Sequence, residues 1–262
     1  MAPAPTPEPL LEIRDLVKRF GALAATDRLS LTVRRGEVHA LIGPNGAGKT
    51  SLIAQIAGTL SADAGRIVFQ GRDITRLAAH RRVRRGLVRS FQITRLFTRF
   101  SVIENVALAV QARSGSSLSF WRPVAGERAL REEALAVLDL VGLADRAETP
   151  CGQLPHGEQR SLEVALALAT RPALLLLDEP LAGTGPQESE RMVTLIQRLS
   201  QQVTILLVEH DVDAVFRLAD TVSVLVAGRV IASGPPDLVR RDPEVLIAYL
   251  GTESAAQGEG AR

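Results

Sequence analysis

The sequence predicts an α/β fold with a mixed sheet flanked by helices, an N-terminal antiparallel β-subdomain and an inserted all-helical subdomain. Short apolar runs of strand length occur at residues 37–42, 173–177 and 203–208, and helical patterns separate them. A glycine-rich loop at 43–50 leads from the first run into a segment with helical spacing. Residues from 95 to about 165 carry helical patterns, so we predict them as an insertion in a single domain of residues 10–250.

Strands dominate the first part of the predicted domain. Segments 11–17 and 29–33 alternate apolar and polar residues, as half-buried strands do. After the glycine loop we expect a strand at 65–71, a basic helix at 74–85 and a short strand at 86–92. Residues 1–9 contain four prolines and are predicted to be a disordered tail.

Helices dominate the insertion, and the α/β pattern then returns. In the insertion we predict helices at 102–112, 127–141 and 157–170, with a loop at 114–126. After it we predict helices at 186–200 and 211–219, a hairpin at 222–226 and 230–232, and short helices at 235–241 and 243–250. Residues 251–262 are polar and are predicted to be a frayed tail.

Composition excludes few classes of function. The chain has 262 residues and a formal net charge of +2, which favours no particular partner. Cys151 is the single cysteine, so an intrachain disulfide is impossible. No apolar run approaches the roughly 18 residues of a membrane span, and the N-terminus has no secretion signal. If the protein works at a membrane, we expect another chain to hold it there.

The glycine-rich loop has the chemistry of a phosphate-binding loop. It fits G-x-x-x-x-G-K-[ST] at every fixed position, between a buried strand and a helix. Backbone N–H groups of such a loop close around phosphate oxygens, and the helix N-terminus adds partial positive charge. Lys49 is predicted to reach the β- and γ-phosphates, and Thr50 to ligate Mg²⁺. The predicted nucleotide-binding residues here are Gly43, Pro44, Asn45, Gly46, Ala47, Gly48, Lys49, Thr50 and Ser51.

Two adjacent carboxylates follow the apolar run 173–177. Asp178 and Glu179 stand at the carboxyl end of this predicted strand, where open parallel sheets bind ligands. We expect Asp178 to hold Mg²⁺ through a water molecule. Glu179 is predicted to polarise the attacking water as a general base.

Together these motifs resemble the ATPase subunit of an ATP-binding-cassette transporter. The order is phosphate loop, Gln92 after a strand, the run Leu-Pro-His-Gly-Glu-Gln-Arg at 154–160, Asp178-Glu179, and His210. The resemblance covers residues 10–250 and implies a P-loop ATPase core. Within the family, Ser-Phe-Gln at 90–92, Glu-Pro-Leu-Ala-Gly at 179–183, Glu-His-Asp at 209–211 and Ala-Tyr-Leu-Gly at 248–251 resemble the importers of branched-chain amino acids.

The resemblance also assigns roles to single residues. Phe20 would stack on adenine, and Gln92 would meet Mg²⁺ and the attacking water. His210 would bond the γ-phosphate and orient that water. The signature segment would face the γ-phosphate of ATP bound by a second subunit, with His156 not implied as catalytic. It comprises Leu154, Pro155, His156, Gly157 and Glu158.

Partners and location are implied by the same resemblance. The chain would be an ATP hydrolase that uses ATP and Mg²⁺ and pairs with a second ATPase subunit, as a homodimer or heterodimer. The pair would drive solute import through separate permease subunits and, indirectly, a substrate-binding protein, with no nucleic acid involved. Its place would be the cytoplasmic face of the inner membrane, as a peripheral subunit.

Two positions depart from the family pattern. The family usually has serine at position 155, and proline has neither a hydroxyl nor a backbone N–H. The family also usually has aspartate in the loop after the paired carboxylates, where residues 183–186 offer none. We therefore expect a weaker composite site where this chain lends its signature segment.

Eight arginines lie between residues 76 and 99: Arg76, Arg81, Arg82, Arg84, Arg85, Arg89, Arg95 and Arg99. One interpretation is a nucleic-acid-binding patch, but only Phe91 and Phe97 interleave with it. A solvated surface is another. We favour a docking surface near anionic lipid and the membrane partner.

Alternative functions stay open at this point. A urea or amide importer and a lipopolysaccharide exporter have similar patterns. A soluble cassette ATPase acting on nucleic acid or the ribosome is disfavoured, because such proteins usually carry two cassettes or a coiled-coil insertion. A Ras-type GTPase is disfavoured because the Asn-Lys-x-Asp guanine motif is absent.

Overall fold

The structure, a computed structural model, describes residues 8–90, 96–113 and 124–248. The strands are β1 (Pro9–Phe20), β2 (Leu23–Arg34), β3 (Val38–Ile42), β4 (Ala64–Phe69), β5 (Arg72–Asp73), β6 (Leu87–Arg89), β7 (Leu174–Asp178), β8 (Thr204–Val208), β9 (Thr221–Val226) and β10 (Arg229–Gly234). The helices are α1 (Lys49–Ala57), α2 (Ala79–Val83), α3 (Val102–Arg113), α4 (Val124–Leu140), α5 (His156–Ala169), α6 (Pro186–Ser200), α7 (Val212–Leu218) and α8 (Pro236–Val239). Residues 243–248 are also helical.

A six-stranded mixed sheet in the order β10-β9-β3-β8-β7-β6 forms the centre of the molecule. Its strands are parallel except β10, which pairs antiparallel with β9. Strands β3, β7 and β8 are buried along their whole length, which explains their continuous apolar sequences. Four parallel strands end at the same edge, at Ile42, Arg89, Asp178 and Val208, and this edge carries the site described below.

A separate antiparallel sheet in the order β2-β1-β4-β5 forms the predicted N-terminal β-subdomain. Strands β1 and β2 are longer than predicted, and β1 begins at Pro9, a residue that the sequence analysis placed in the tail. Leu11 and Ile13 are buried on one face, as the alternation predicted. Residues 1–7 and 249–262, where the tails were predicted, lie outside the described part of the chain.

The predicted helical insertion consists of α3, α4 and α5. Each of these helices contacts the other two, and Val106, Leu138 and Leu162 are buried between them. Helix α4 begins at Val124, within the segment predicted as a loop, and residues 114–123 lie outside the described ranges. The same apolar cluster continues onto β7, β8 and α6, so the insertion packs against the central sheet.

The predicted basic helix 74–85 is reduced to α2, Ala79–Val83. The reason is Arg82, whose buried guanidinium bonds to the Leu77 and Thr75 carbonyl oxygens at 2.7 and 3.0 Å. The segment before α2 is a turn that this side chain holds in place, with the Leu77 N–H donating to the Ile74 carbonyl oxygen at 2.9 Å. Burial also lowers the pKa of Arg82 to about 10.

The arginine-rich segment, which the sequence analysis favoured as a docking surface, is therefore not exposed throughout. Arg82 is buried, and Arg89 pairs with Asp178 at the end of β7. The other described members are exposed: Arg76, Arg81, Arg84, Arg85 and Arg99. Arg95 lies outside the described residues. Within the described ranges, no helix has the length and apolar composition needed to cross a membrane.

Candidate functional site

The phosphate loop, residues 43–50, connects β3 to α1 and has two glycines that tolerate no side chain. Gly43 has φ of 150°, and a Cβ there would lie 2.0 Å from the Leu225 carbonyl oxygen. Gly48 has φ of 105°, and its Cβ would lie 2.1 Å from the Ala25 carbonyl oxygen. The loop is thus pressed against the β9–β10 hairpin and β2, which fixes its shape before any phosphate binds.

Lys49 is the buried cation of the loop, with a relative exposure of 7%. Its Nζ donates to the Gly43 and Pro44 carbonyl oxygens at 2.6 and 3.0 Å. Burial lowers the pKa of Lys49, while the negative charges of Glu179 and Asp178 act in the opposite direction. The loop therefore buries an ammonium group whose pKa responds to the charges of both carboxylates.

Of the remaining residues at 43–51, some are buried and support the fold, and others are open to solvent. Ala47 is buried, and its carbonyl oxygen accepts from the Gly228 N–H at 2.9 Å. Asn45, Gly46 and Thr50 are exposed, and Pro44 and Ser51 are half-buried. The Thr50 hydroxyl lies in the first turn of α1, where partial positive charge favours an anion.

Phe20 lies at the end of β1 with 51% of its surface exposed. The Lys18 Nζ is 5.6 Å from the centroid of its ring. An exposed ring is what stacking on a base requires, and a core role for Phe20 is excluded by its exposure.

Asp178 ends β7 and pairs with Arg89, which ends the neighbouring strand β6. Arg89 Nη2 donates to Asp178 Oδ2 at 2.5 Å, and both side chains are largely buried. Arg89 Nε is buried without a hydrogen-bond partner among the described residues. A cation thus compensates the Asp178 carboxylate at the sheet edge.

Glu179 begins a turn, residues 179–181, with φ of 49°, a left-handed conformation that is uncommon for non-glycine residues. Its N–H donates to the Val208 carbonyl oxygen at 2.8 Å. Leu181 N–H donates to Glu209 Oε1 at 2.7 Å. On the opposite side, Arg160 Nη2 donates to the Glu179 carbonyl oxygen at 2.6 Å.

His210 follows β8 and exposes 61% of its side chain, so it is free to meet a ligand. Glu209 beside it is fully buried and accepts from the His210 N–H at 3.1 Å. Burial raises the pKa of the Glu209 carboxyl, and backbone N–H donors partly offset this effect. Gln92, the third predicted catalytic residue, lies outside the described residues.

The signature segment, residues 154–158, leads into α5. Pro155 is the N-cap residue of α5 and supplies no side-chain cap, while its carbonyl oxygen accepts from the Gln159 N–H at 3.0 Å. The N–H groups of His156, Gly157 and Glu158 therefore stand at the open end of the helix. Pro155 and His156 are exposed, Leu154 is buried, and Glu158 Oε2 lies 3.5 Å from Arg146 Nε.

No hydrogen bond or ion pair within the described ranges joins the signature segment to the phosphate loop. The structure instead brings the signature segment against α6. A Cβ at Gly157 would lie 2.9 Å from Glu188 Oε1, so this carboxylate lies against the signature segment of its own chain. The loop before α6 is closed by Thr184, whose hydroxyl donates to the Leu181 carbonyl oxygen at 2.7 Å.

Three supporting residues escaped the sequence analysis, which placed Arg89 in the arginine-rich docking surface and assigned no role to Arg160 or Glu209. Arg89 carried a usable signal, since a basic residue that ends a buried strand is a natural counter-ion for Asp178 on a neighbouring parallel strand. Arg160 and Glu209 carried none, because their partners are backbone groups.

Comparisons with known proteins agree with this architecture. A family model described as ABC transporter matches residues 26–182, and one described as branched-chain amino acid ATP-binding cassette transporter matches residues 229–255. The chain is 38% identical over 250 residues to the high-affinity branched-chain amino acid transport ATP-binding protein BraF of Pseudomonas aeruginosa, covering 93% of this chain and 98% of that protein. It is also 38% identical over 251 residues to LivG of Salmonella typhimurium, a protein of the same description, with coverages of 93% and 98%.

The solved structures give the same result for the fold. An ATP-binding cassette of an ABC transporter in its ADP conformation matches with a TM-score of 0.81 and 31% identity, covering 93% of this chain and 99% of that chain. The resemblance that the sequence motifs predicted is therefore confirmed, as is the P-loop ATPase fold with its antiparallel β-subdomain.

Proposed function

Because the chain belongs to the ABC transporter family, as a subunit that binds and hydrolyses ATP, we propose that it drives import of branched-chain amino acids through separate permease subunits. The observation that carries the ATPase assignment is the buried Lys49 ammonium in a phosphate loop at the sheet edge where Asp178 ends β7. The relatives BraF and LivG, both described as branched-chain amino acid transport proteins, and the C-terminal match at 229–255 support the substrate class.

Each predicted site residue has its own role in binding or hydrolysing ATP. The phosphate loop wraps the phosphates with its N–H groups, and Lys49 neutralises the β- and γ-phosphate oxygens. Phe20 stacks on the adenine ring. Glu179 accepts a proton from the attacking water, while His210 bonds the γ-phosphate and orients that water.

Thr50 and Asp178 fit Mg²⁺, and Gln92 completes the proposed set. A hydroxyl and a carboxylate are the hard oxygen donors that this ion prefers, and Asp178 lies buried at the sheet edge beside the phosphate loop. When bound, Mg²⁺ supplies neutralisation of the charge on the β- and γ-phosphate oxygens. Arg89 holds the Asp178 carboxylate in place through its ion pair.

A second ATPase subunit completes each site. Cassettes of this family work in pairs, and the proposed arrangement sets the signature segment of one subunit against ATP on the phosphate loop of the other. The open N–H groups of His156 and Gly157 at the start of α5 support this, because a helix N-terminus binds phosphate oxygens. Copurification with the products of the neighbouring genes distinguishes a homodimer from a heterodimer.

Permease subunits are the proposed membrane partners, placing the protein at the cytoplasmic face of the inner membrane as a peripheral subunit. Phe97 and Phe100 support a docking surface, since both rings are exposed and stack with centroids 5.5 Å apart. The exposed Arg99 between them adds a positive charge. The substrate-binding protein would meet the permease rather than this chain.

Substitutions at the two charged positions test the ATPase chemistry. Lys49→Ala should abolish binding of a fluorescent ATP analogue, whereas Glu179→Gln should retain binding and lose roughly 10²–10⁴-fold in hydrolysis rate, as expected on removal of a general base. Arg198→Ala, at an exposed position near the end of α6, should retain hydrolysis. An unchanged rate of steady-state hydrolysis by Glu179→Gln would contradict the assignment of Glu179 as the general base.

Uptake measurements test the substrate class. The chain is coexpressed with the permeases and binding protein encoded by its genomic neighbours, and uptake of radiolabelled leucine, urea and an unrelated amino acid is compared. Leucine uptake that Lys49→Ala abolishes supports the proposal. Uptake of urea alone, or no association with membranes in the presence of every neighbour, favours the urea importer or a soluble cassette ATPase instead.

A further inference from the structure

Arg160 connects the helical insertion to the turn that carries Glu179. It lies on α5, shortly after the signature segment, and is half-buried. Its Nη2 donates to the Glu179 carbonyl oxygen at 2.6 Å, and its Nε is 3.4 Å from the Pro180 carbonyl oxygen. One guanidinium therefore spans two successive carbonyl groups of the 179–181 turn.

The 179–181 turn depends on its surroundings for its shape. Glu179 adopts φ of 49°, which a glutamate does not favour on its own. The β8 side holds the turn through the Val208 carbonyl oxygen and the buried Glu209 carboxylate. Arg160 is its hydrogen-bonding support from the helical insertion among the described residues. Without Arg160, the Glu179 carbonyl oxygen would keep, within the described part of the chain, only the Ala182 N–H of its own turn, at 3.1 Å, and would lose its connection to the helical insertion.

We propose that Arg160 is a positioning residue that couples the signature helix α5 to the general base of the same chain. This inference rests on the proposed function of Glu179 and of the signature segment. The first turn of α5 faces ATP bound by the partner subunit. Arg160 donates hydrogen bonds to the 179–181 turn, which lies beside the ATP bound by this chain. One rigid helix thereby contacts both ATP sites.

The physical consequence is communication between the two sites. When phosphate binds at the N-terminus of α5, a shift of the helix moves Arg160 and with it the Glu179 carbonyl group. A misplacement of about 1 Å at a catalytic group can change a rate roughly 100-fold. Lysine replaces arginine only in part here, because its single ammonium lacks the planar fork that spans two acceptors.

The test compares Arg160→Met with Arg191→Met, which removes an exposed arginine from the adjacent helix α6. Both are made in the full-length protein. For Arg160→Met we expect kcat to fall roughly 10–100-fold, while KM and the Kd of a fluorescent ATP analogue change less than about twofold. The Hill coefficient for ATP should also fall towards one. Arg191→Met should leave all four quantities unchanged.

A double-mutant cycle with Glu179→Gln separates positioning from general structure. Single-turnover hydrolysis of radiolabelled ATP is measured for Glu179→Gln alone and for Glu179→Gln with Arg160→Met. If Arg160 acts through Glu179, the second substitution adds less than about twofold to the loss. Should Arg160→Met not fold, as judged by circular dichroism, Arg160→Lys takes its place with a smaller expected loss in kcat.

The outcomes distinguish the two hypotheses. A normal rate for Arg160→Met in a protein that Glu179→Gln inactivates overturns this inference and leaves the proposed function standing. An equal loss from Arg160→Met in both backgrounds, or a weakened Kd, overturns it as well. Undiminished hydrolysis by Glu179→Gln overturns the proposed function of Glu179, and the inference with it.

Discussion

Arg82 is the buried side chain whose role differs most from the one that its sequence context indicates. Its Nη1 donates to the Gln55 and Ile56 carbonyl oxygens at 2.7 Å each, at the carboxyl end of α1. The same guanidinium holds the segment before α2. A positive charge at a helix C-terminus also opposes the negative end of the helix dipole. Arg82 thus fixes the far end of the helix that begins at Lys49.

Replacement of Arg82 by methionine should destabilise the protein without touching the ATP site. Each buried carbonyl left without a donor costs roughly 1–3 kcal/mol, and because water can reach some of them we expect a total near 3 kcal/mol. For a chain of this size that loss lowers Tm by about 6–12 °C. Differential scanning calorimetry measures it, with Arg81→Met, at the exposed neighbouring position, as the matched control. Equal Tm values for the two variants would contradict the assignment.

Glu209 gives the stability a pH dependence. Burial raises the pKa of its carboxyl in the folded protein above the value in the unfolded chain. The folded state therefore binds the proton more tightly, and the contribution of Glu209 to stability falls as pH rises from the unfolded pKa, about 4.5, through the folded pKa. Urea unfolding of the wild type and Glu209→Gln at several pH values tests this. Their difference in unfolding free energy should change over this window, and a constant difference would refute the prediction.

At the scale of elements, α5 is the helix on which the departures from the family pattern converge. Pro155 stands outside the helix as N-cap, so the proline removes a hydroxyl but none of the N–H groups within the first turn. The loop after Glu179 lacks the usual aspartate, but another carboxylate is close to the signature segment, because Glu188 from α6 lies against Gly157. We therefore expect ATP hydrolysis at this composite site to be slower but not abolished.

Pro155→Ser should raise hydrolysis at that composite site. A hydrogen bond from the serine hydroxyl to a charged phosphate oxygen contributes about 1.5–3 kcal/mol, which corresponds to a gain of roughly 10–150-fold. Pro155→Ala, which restores the N–H but no hydroxyl, is the matched control and should give no comparable gain. The measurement is steady-state ATP hydrolysis of the assembled pair, with Tm recorded for each variant because serine is also the better N-cap.

In a heterodimer the same argument predicts asymmetry. Lys49→Ala in this chain should remove more hydrolysis than the equivalent substitution in the partner, because the site on this chain's phosphate loop uses the partner's signature segment. Equal losses, together with no gain from Pro155→Ser, would mean that the proline has no effect on rate.

At the scale of the whole molecule, exposed apolar residues indicate where another protein docks. Phe97 and Phe100 expose 59% and 43% of their surfaces and lie between the 91–95 segment, which contains Gln92, and α3. Single exposed apolar residues are ordinary, but two stacked exposed rings form a patch that a partner can cover. Under the proposed function, a permease docked on these two rings would lie close in sequence to Gln92.

Phe97→Ser should weaken binding to the permease and leave ATP hydrolysis of the isolated protein unchanged. Leu238→Ser, at another exposed apolar position with 66% exposure, is the matched control. Copurification of the tagged permease with each variant gives the readout, and the loss should be several-fold for Phe97→Ser only. Equal retention of both variants would move the docking surface elsewhere.

The sequence by itself determined the phosphate loop, the buried strands and the position of Asp178 and Glu179. These features are local: an octet of fixed residues, an apolar run and two carboxylates at its end are each complete within about ten positions. The bounds of α6 were predicted without error, because Pro186 at its start and the polar residues after Ser200 are themselves local signals. Even the β-subdomain was visible as alternation, although β1 and β2 proved longer than the alternating segments.

Only the tertiary structure decided which side chains support that site. Arg89 meets Asp178 across 89 residues because β6 and β7 are neighbours in the sheet. Arg160 and Glu209 reach the Glu179 turn from an inserted helix and from the end of β8. Strand order and the docking of α5 set these distances, and no local pattern encodes either of them. A guanidinium that bonds to backbone carbonyl groups has no partner side chain that the sequence could reveal. The sequence alone therefore gives no reason to distinguish Arg82 and Arg160 from surface charges.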